Sequence, residues 1–479
     1  MGSIAMMAVV SLASCSANSD FDNTNTTDLN TKESVQSPVE FGTYLAQSKN
    51  TRASEMTTDE LKTKGFGVIA FYTGTSEYAA GQTSEVPNFM YNTDVSIKSG
   101  GTDWTYEPIK YWPNGGQTEG NATPGESTQY LSFFAYAPYK DFSTTSTTGI
   151  TALSANDSKS DPTVTYVLGA TDADADLLWG TAGSNDVKNA AKNGVTTSGK
   201  DQDGTDFSGK AKAKVNANLS KMKVDGKVQF YFKHALAKFG GTGATGTDNK
   251  NSGLMVVADI DNGSATTGGS LDANTKITVK SIKIESVKAS DDGKTMTTEA
   301  SIPTSGTLNL VTGEWSTTDA KMGKIDYEIN SPKATVTTGA TIQTLNDDIA
   351  EPASFSSWGN LPEGVTATAK SVYTETNPLL IIPDGGNYTF RITIDYIVRT
   401  KDEALKDGYT QVEQSFYKDL TLKTVSLNAK YNLLIHLGLT SVKFDATVSD
   451  WTNSANGGTT SDTSTDKDPM EIDMPANVK

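Results

Sequence analysis

Apolar positions along this chain come in short runs, most of four to eight residues, punctuated by Gly, Asn, Asp and Pro. In the first half the runs are "VEFGTYL" (39–45), "GFGVIAFYTG" (65–74), "YLSFFAYAPY" (130–139), "PTVTYVLG" (162–169), "DLLWGTA" (176–182) and "KVQFYFKHALAKF" (227–239). The second half repeats the texture with "LMVVADI", "TKITVKSIKIESV", "GTLNLVTGEW", "PLLIIPD", "YTFRITIDYIV" and "YNLLIHLGLTSVKFDATVSDW". Runs of this length bounded by turn residues predict strands, and many of them in succession predict sandwiches. In "KITVKSIKIES", Ile277 and Val279, then Ile282 and Ile284, fall on one face, with a slip at Lys280–Ser281 that reads as a bulge. Long helical patterns are hard to find, and no repeat of fixed period is visible.

Two segments break the pattern. "IAMMAVVSLA" (4–13) is ten apolar residues, half of what a membrane-spanning helix of about 20 residues needs and the length of a signal-peptide core. It ends in Leu12, Ala13, Ser14, Cys15, a bacterial lipobox whose cysteine is the expected site of lipid attachment. No Lys or Arg precedes the run, a departure from the basic start of a signal peptide. The polar, acidic stretch that follows reads as a disordered tether, so the chain is expected to be anchored to a membrane through a lipid on Cys15 rather than to span it. At the other end, Met470, Ile472 and Met474 alternate with Glu471 and Asp473 beyond a polar tail. That spacing fits a short half-buried strand and equally a disordered acidic terminus.

The length of 479 residues allows two or three domains. The Gly-rich stretch 240–253 suggests the division: 1–15 signal region, 16–35 tether, 36–240 and 241–455 two β-sandwiches, 456–479 tail. A net charge of −17 argues against nucleic acid as a partner and against adsorption to anionic membrane surfaces. With one cysteine there is no internal disulfide and no thiolate metal site, and the two histidines, His234 and His436, sit in strand-like runs. No catalytic residue, metal or cofactor is expected. Asp172, Asp174 and Asp176 alternate in "TDADADLLWG", but a calcium loop starting at Asp172 would need Gly and Glu where Leu177 and Gly183 stand. Trp104, Tyr111 and Trp112 could form an aromatic sugar platform or serve as core edges and turn anchors.

"NTRAS", "YWP" followed by "LSFFAYAP", "DLLWG", "FKHALAKF", "LNLVTGEW", "PLLIIP" and the closing "YNLLIHLGLTSVKFDATVSDW" together resemble the fimbrillin family, over about residues 39–451. These are lipoprotein-exported pilus and surface-adhesin subunits of Gram-negative anaerobes. The resemblance implies an all-β fold of two tandem transthyretin-like (Greek-key) sandwiches. It also implies maturation by an arginine-specific protease. Arg52, with Ala53 after it, is then the cut, and "VEFGTYL" is the strand removed. A C-terminal strand of another subunit would fill the groove, with Met470, Ile472 and Met474 as its inward anchors. The partners implied are other pilus subunits, outer-membrane lipid through Cys15 before processing, and a host or bacterial surface ligand. Stalk, tip and anchor roles stay open, and so does a non-polymerising lipid-anchored adhesin or glycan-binding protein.

Overall fold

The computed structural model describes residues 38–45, 56, 58–79, 81, 85–113, 129–169, 176–181, 196–197, 210–211, 215–219, 227–240, 253–258, 271–290, 295–299, 301–318, 322–330, 341–355, 357–372, 379–439 and 442–450. The fold is an all-β sandwich fold, with one helix of two turns, Thr58–Lys64, and one 3-10 turn among these residues. No described helix is long and apolar enough to cross a membrane.

The first large sheet runs in the order Glu40–Leu45, Lys227–His234, Leu178–Thr181, Tyr130–Ala137, Phe66–Gly74, Met90–Ile97, Trp104–Thr105, with Asn216–Leu219 also on Tyr130–Ala137. Its central strands are buried on both faces, which is why they read as unbroken apolar runs rather than alternating ones. Phe66, Val68 and Ala70 join Leu131, Phe133 and Ala135 in one core. Ile69 and Phe71 point the other way, with Phe134 and Tyr136, into a second. That second core is completed by a four-stranded sheet ordered Trp315–Ser316, Ser305–Asn309, Thr163–Val167, Gly149–Leu153. A third core lies between the two remaining large sheets. One is ordered Lys370–Ser371, Leu254–Ala258, Ala429–Leu437, Ala237–Phe239, Leu379–Ile381, with Val442–Asp450 on Ala429–Leu437; the other is ordered Thr341–Thr344, Asp326–Asn330, Thr275–Ala289, Tyr388–Lys401, Tyr409–Leu422. The register along Thr275–Ala289 shifts between Val279 and Ser281, so Ile277, Val279, Ile282 and Ile284 all stay inside.

The expected division at residue 240 does not separate the sheets. Ser305–Asn309 comes from the second half of the chain and pairs antiparallel with Thr163–Val167 from the first. The run "KHALAKF" bends at Ala235–Leu236, leaving Lys227–His234 in the first sheet and placing Ala237–Phe239 beside Ala429–Leu437. The sheets change over before the Gly-rich stretch, inside an apolar run that composition cannot divide. Two indoles staple the crossing: Trp179 Nε1 donates to Leu310 O at 2.9 Å, and Trp315 Nε1 to Ala235 O at 2.8 Å. Gly313 has φ +72°, and a Cβ there would run into the Trp179 ring, so "VTGEW" needs its glycine on both counts.

Candidate functional site: the first strand and its groove

Glu40–Leu45 is the outer strand of the first sheet, and it pairs parallel with the next, Glu40 opposite Lys227 through Leu45 opposite Phe232. An edge strand ordinarily carries little of the core. This one contributes Val39, Phe41 and Leu45, all buried, at the alternating positions a strand directs to one face. The Phe41 ring is 2% exposed and lies 5.4–6.2 Å from those of Phe66, Tyr106, Phe133 and Phe230, which come from separate segments of the chain.

The other flank is built by residues 106–112. Pro38 bridges Tyr111 antiparallel, Val39 N–H donates to Lys110 O at 2.8 Å, and Tyr106 Oη donates to Val39 O at 2.8 Å. Burial pushes the Tyr106 phenol up to about 12, which keeps this donor protonated. Lys227 Nζ reaches Asp103 at 3.2 Å, so the two ends of the sheet meet across the strand. Glu40–Leu45 thus fills a slot in a curled sheet. The strand beside it depends on that filling: Leu178–Thr181 covers only its Tyr231–His234 half, and among the described residues the half from Lys227 to Phe230 has Glu40–Thr43 as its ladder neighbour. On its far side Asn216 Nδ2 donates to Gln229 O at 2.7 Å.

The aromatic residues of "DWTYEPIKYWP" form this wall rather than a sugar platform. Trp112 is buried against Phe133 and Trp104 packs edge-on to Phe66, while Tyr111 is 46% exposed. The three share no open face, because the slot's apolar interior takes up the indoles.

Downstream of the strand, Met56 is held by its backbone. Its N–H donates to Asp176 Oδ2 at 2.8 Å, and the same oxygen lies 2.7 Å from His234 Nδ1. This clasp joins three remote segments in the buried interior. Asp176 is therefore a structural carboxylate, while Asp172 and Asp174 lie outside the described residues. The only sequence signal for the clasp is an acid directly before an apolar run and a histidine inside another. Among the described residues no group of three or more His, Cys, Asp or Glu could hold a metal ion.

Two of the chain's three arginines are locked in the interior strand Tyr388–Lys401. Arg391 makes two hydrogen bonds to Asp419, at 2.8 and 2.9 Å, and lies over the Tyr417 ring. Arg399, 3% exposed, is clamped by both oxygens of Glu351 at 2.6 and 2.8 Å. Burial opposes ionisation of Glu351, but hydrogen bonds from Arg399 and Thr278 and the guanidinium charge outweigh it and hold the carboxyl below its ordinary value. Cys15, Arg52, Ala53, Met470, Ile472 and Met474 all lie outside the described residues.

Comparison with known proteins agrees with this architecture. The chain is 23% identical over 467 residues to fimbrium subunit Fim1C of Phocaeicola vulgatus, covering 94% of this chain and 96% of that protein. A crystal structure of a fimbrial protein from Bacteroides vulgatus superposes with a TM-score of 0.52 at 17% identity, covering 87% of this chain and 99% of that one, and so shares the fold. No family model matches.

Proposed function

We propose that this fimbrillin-like chain is a structural subunit of a cell-surface pilus serving adhesion. It is exported as a lipoprotein through Cys15 to the outer membrane, cut between Arg52 and Ala53, and polymerised by strand exchange with other pilus subunits. Its two halves act as tandem sandwiches, joined through the shared second core.

The observation that carries the reading is the Glu40–Leu45 strand. It lies at the end of its sheet, ahead of Arg52, yet its side chains belong to the core. Removing it would leave an apolar slot with unpaired backbone along Lys227–Phe232, a template for another strand. The anchoring of Arg391 and Arg399 in a doubly paired strand supports selectivity for Arg52, since a protease needs an extended, accessible segment. The clasp of Met56 by Asp176 would hold the retained chain three residues after the new N-terminus at Ala53.

Met470, Ile472 and Met474 are the donor anchors in this reading. Burying each contributes about 1.5–3 kcal/mol. Association costs about 4–15 kcal/mol, so the slot must be preformed; the close packing of its aromatic wall supports that.

The test is the N-terminal residue of protein recovered from fibres, with a size ladder on a mild, unheated gel. Subunits should begin at Ala53 and form the ladder, and Arg52→Ala should stay longer, remain lipid-bound and give no ladder. Fibre subunits that retain residues before Arg52 would overturn the proposal.

A further inference from the structure

The tail repeats the strand it would replace. Pro38-Val39-Glu40-Phe41 and Pro469-Met470-Glu471-Ile472 share the order proline, apolar, glutamate, apolar. In the structure that order has meaning: Val39 and Phe41 are inward, Glu40 is exposed opposite Lys227, and Pro38 sits just before the ladder begins.

Resting on the strand-exchange reading above, we propose that Pro469–Ala476 occupies the slot in the register of Pro38–Leu45, parallel to Lys227–His234. Met470 takes the place of Val39, Ile472 that of Phe41, Met474 that of half-buried Thr43, and Ala476 that of Leu45.

The alternatives fail on particular residues. A shift by one residue turns Glu471 and Asp473 inward, into an apolar slot. Because Val39 donates its N–H away from Lys227, toward Lys110, the N–H groups that face Lys227–Phe232 belong to positions 40, 42 and 44. Sliding the tail two residues back puts Pro475 at position 42, in the middle of the ladder, where it removes a donor. Sliding it two residues forward drives Asp468 into the buried place of Val39. Running the tail antiparallel, which the near-palindrome "PMEIDMP" allows, puts Asp468 in the buried place of Leu45. The proposed register loses only the terminal rung at position 44. It also sets Asp473 opposite Gln229, whose exposed side chain, now lying over Gly42, can swing away.

The test uses the full chain, matured and assembled. Cysteines at Gln229 and Asp473, one pair per variant, are compared with cysteines at Gln229 and Glu471. Neighbouring strands bring such pairs within disulfide reach; Gln229 is exposed, Glu471 would take the exposed place of Glu40, and Asp473 would take the place of Gly42, whose cover is the Gln229 side chain that the substitution removes. Mild oxidation should turn most of the 229–473 polymer into a ladder that survives boiling without reductant, and leave the 229–471 polymer separable. Cross-linking at 229–471 instead, or polymers of normal length with neither link, would overturn the register while leaving strand exchange standing. Absence of polymer from the unmodified chain would overturn the strand-exchange reading itself, and this register with it.

Discussion

Truncating Phe41 to Ala should weaken the chain before processing and leave the fibre unchanged. Phe41 is 2% exposed with four rings 5.4–6.2 Å from its own. Removing a buried Phe side chain costs about 3–5 kcal/mol. Ring contacts worth about 0.5–1.5 kcal/mol each are part of that figure and favour its upper end. The strand is at an edge, so the first consequence is release of Glu40–Leu45 rather than global unfolding. At a factor of ten per 1.4 kcal/mol, the released population should rise about 10²- to 10³-fold or more. Amide hydrogen exchange reads this directly at Lys227–Phe230, whose described ladder partner is the released strand. If release and unfolding of the first core are coupled, the melting temperature of the unprocessed chain should fall on the order of 6–20 °C. Fibres made from the variant should dissociate at the wild-type temperature, because Phe41 has left with the excised strand. Equal loss of stability in the fibre would refute removal of the strand. Unchanged exchange at Lys227–Phe230 would refute the role of Phe41 as its anchor.

Further outcomes follow from other residues. Cys15→Ser should abolish metabolic lipid labelling, and undiminished label would refute the assignment of the only thiol. Asp176→Ala leaves the Met56 N–H and His234 Nδ1 without the carboxylate between them, at about 1–3 kcal/mol for each unsatisfied group; the loss should show in denaturant midpoints both before and after processing, in contrast to Phe41→Ala. Glu351 has a folded value below its ordinary 4.5, so the stability it contributes is complete above that pH and is lost as acid titrates it through the lower value. Glu351→Gln should therefore flatten the acid limb of a stability–pH profile, and an unaltered limb would show that the Arg399 pair is not its source.

The strands were legible from sequence where burial on both faces, or clean alternation, leaves a run that nothing but a strand explains, as in "GFGVIAFYTG" and "TKITVKSIKIESV". Met90–Ile97 escaped because only Met90 and Val95 of its eight residues are buried and Asn92, at φ +45°, interrupts its pattern. The short helix Thr58–Lys64 buries only Leu61, too little for a periodic signal. Pairing was beyond reach for a different reason. The slot around Phe41 is assembled from positions 66, 106, 133 and 230, and the clasp from 56, 176 and 234. A single chain carries no mark of such distances, and a carboxylate beside an apolar run looks the same whether it binds an ion, faces water or holds a backbone N–H.

The bend at Ala235–Leu236 bears on what a fibre can withstand. In subunits strung as proposed, pull enters at the wall of the slot, Lys227–His234, and leaves through the tail after Val442–Asp450. Between those points the backbone passes through two buried residues into Ala237–Phe239, which lies parallel to Ala429–Leu437, itself the partner of Val442–Asp450. The load therefore crosses from the first large sheet to the strand before the tail through two strand pairings, with the indole of Trp315 bonded to the bend at Ala235. The long outer strand Tyr409–Leu422, paired with Tyr388–Lys401, takes no part in these two pairings.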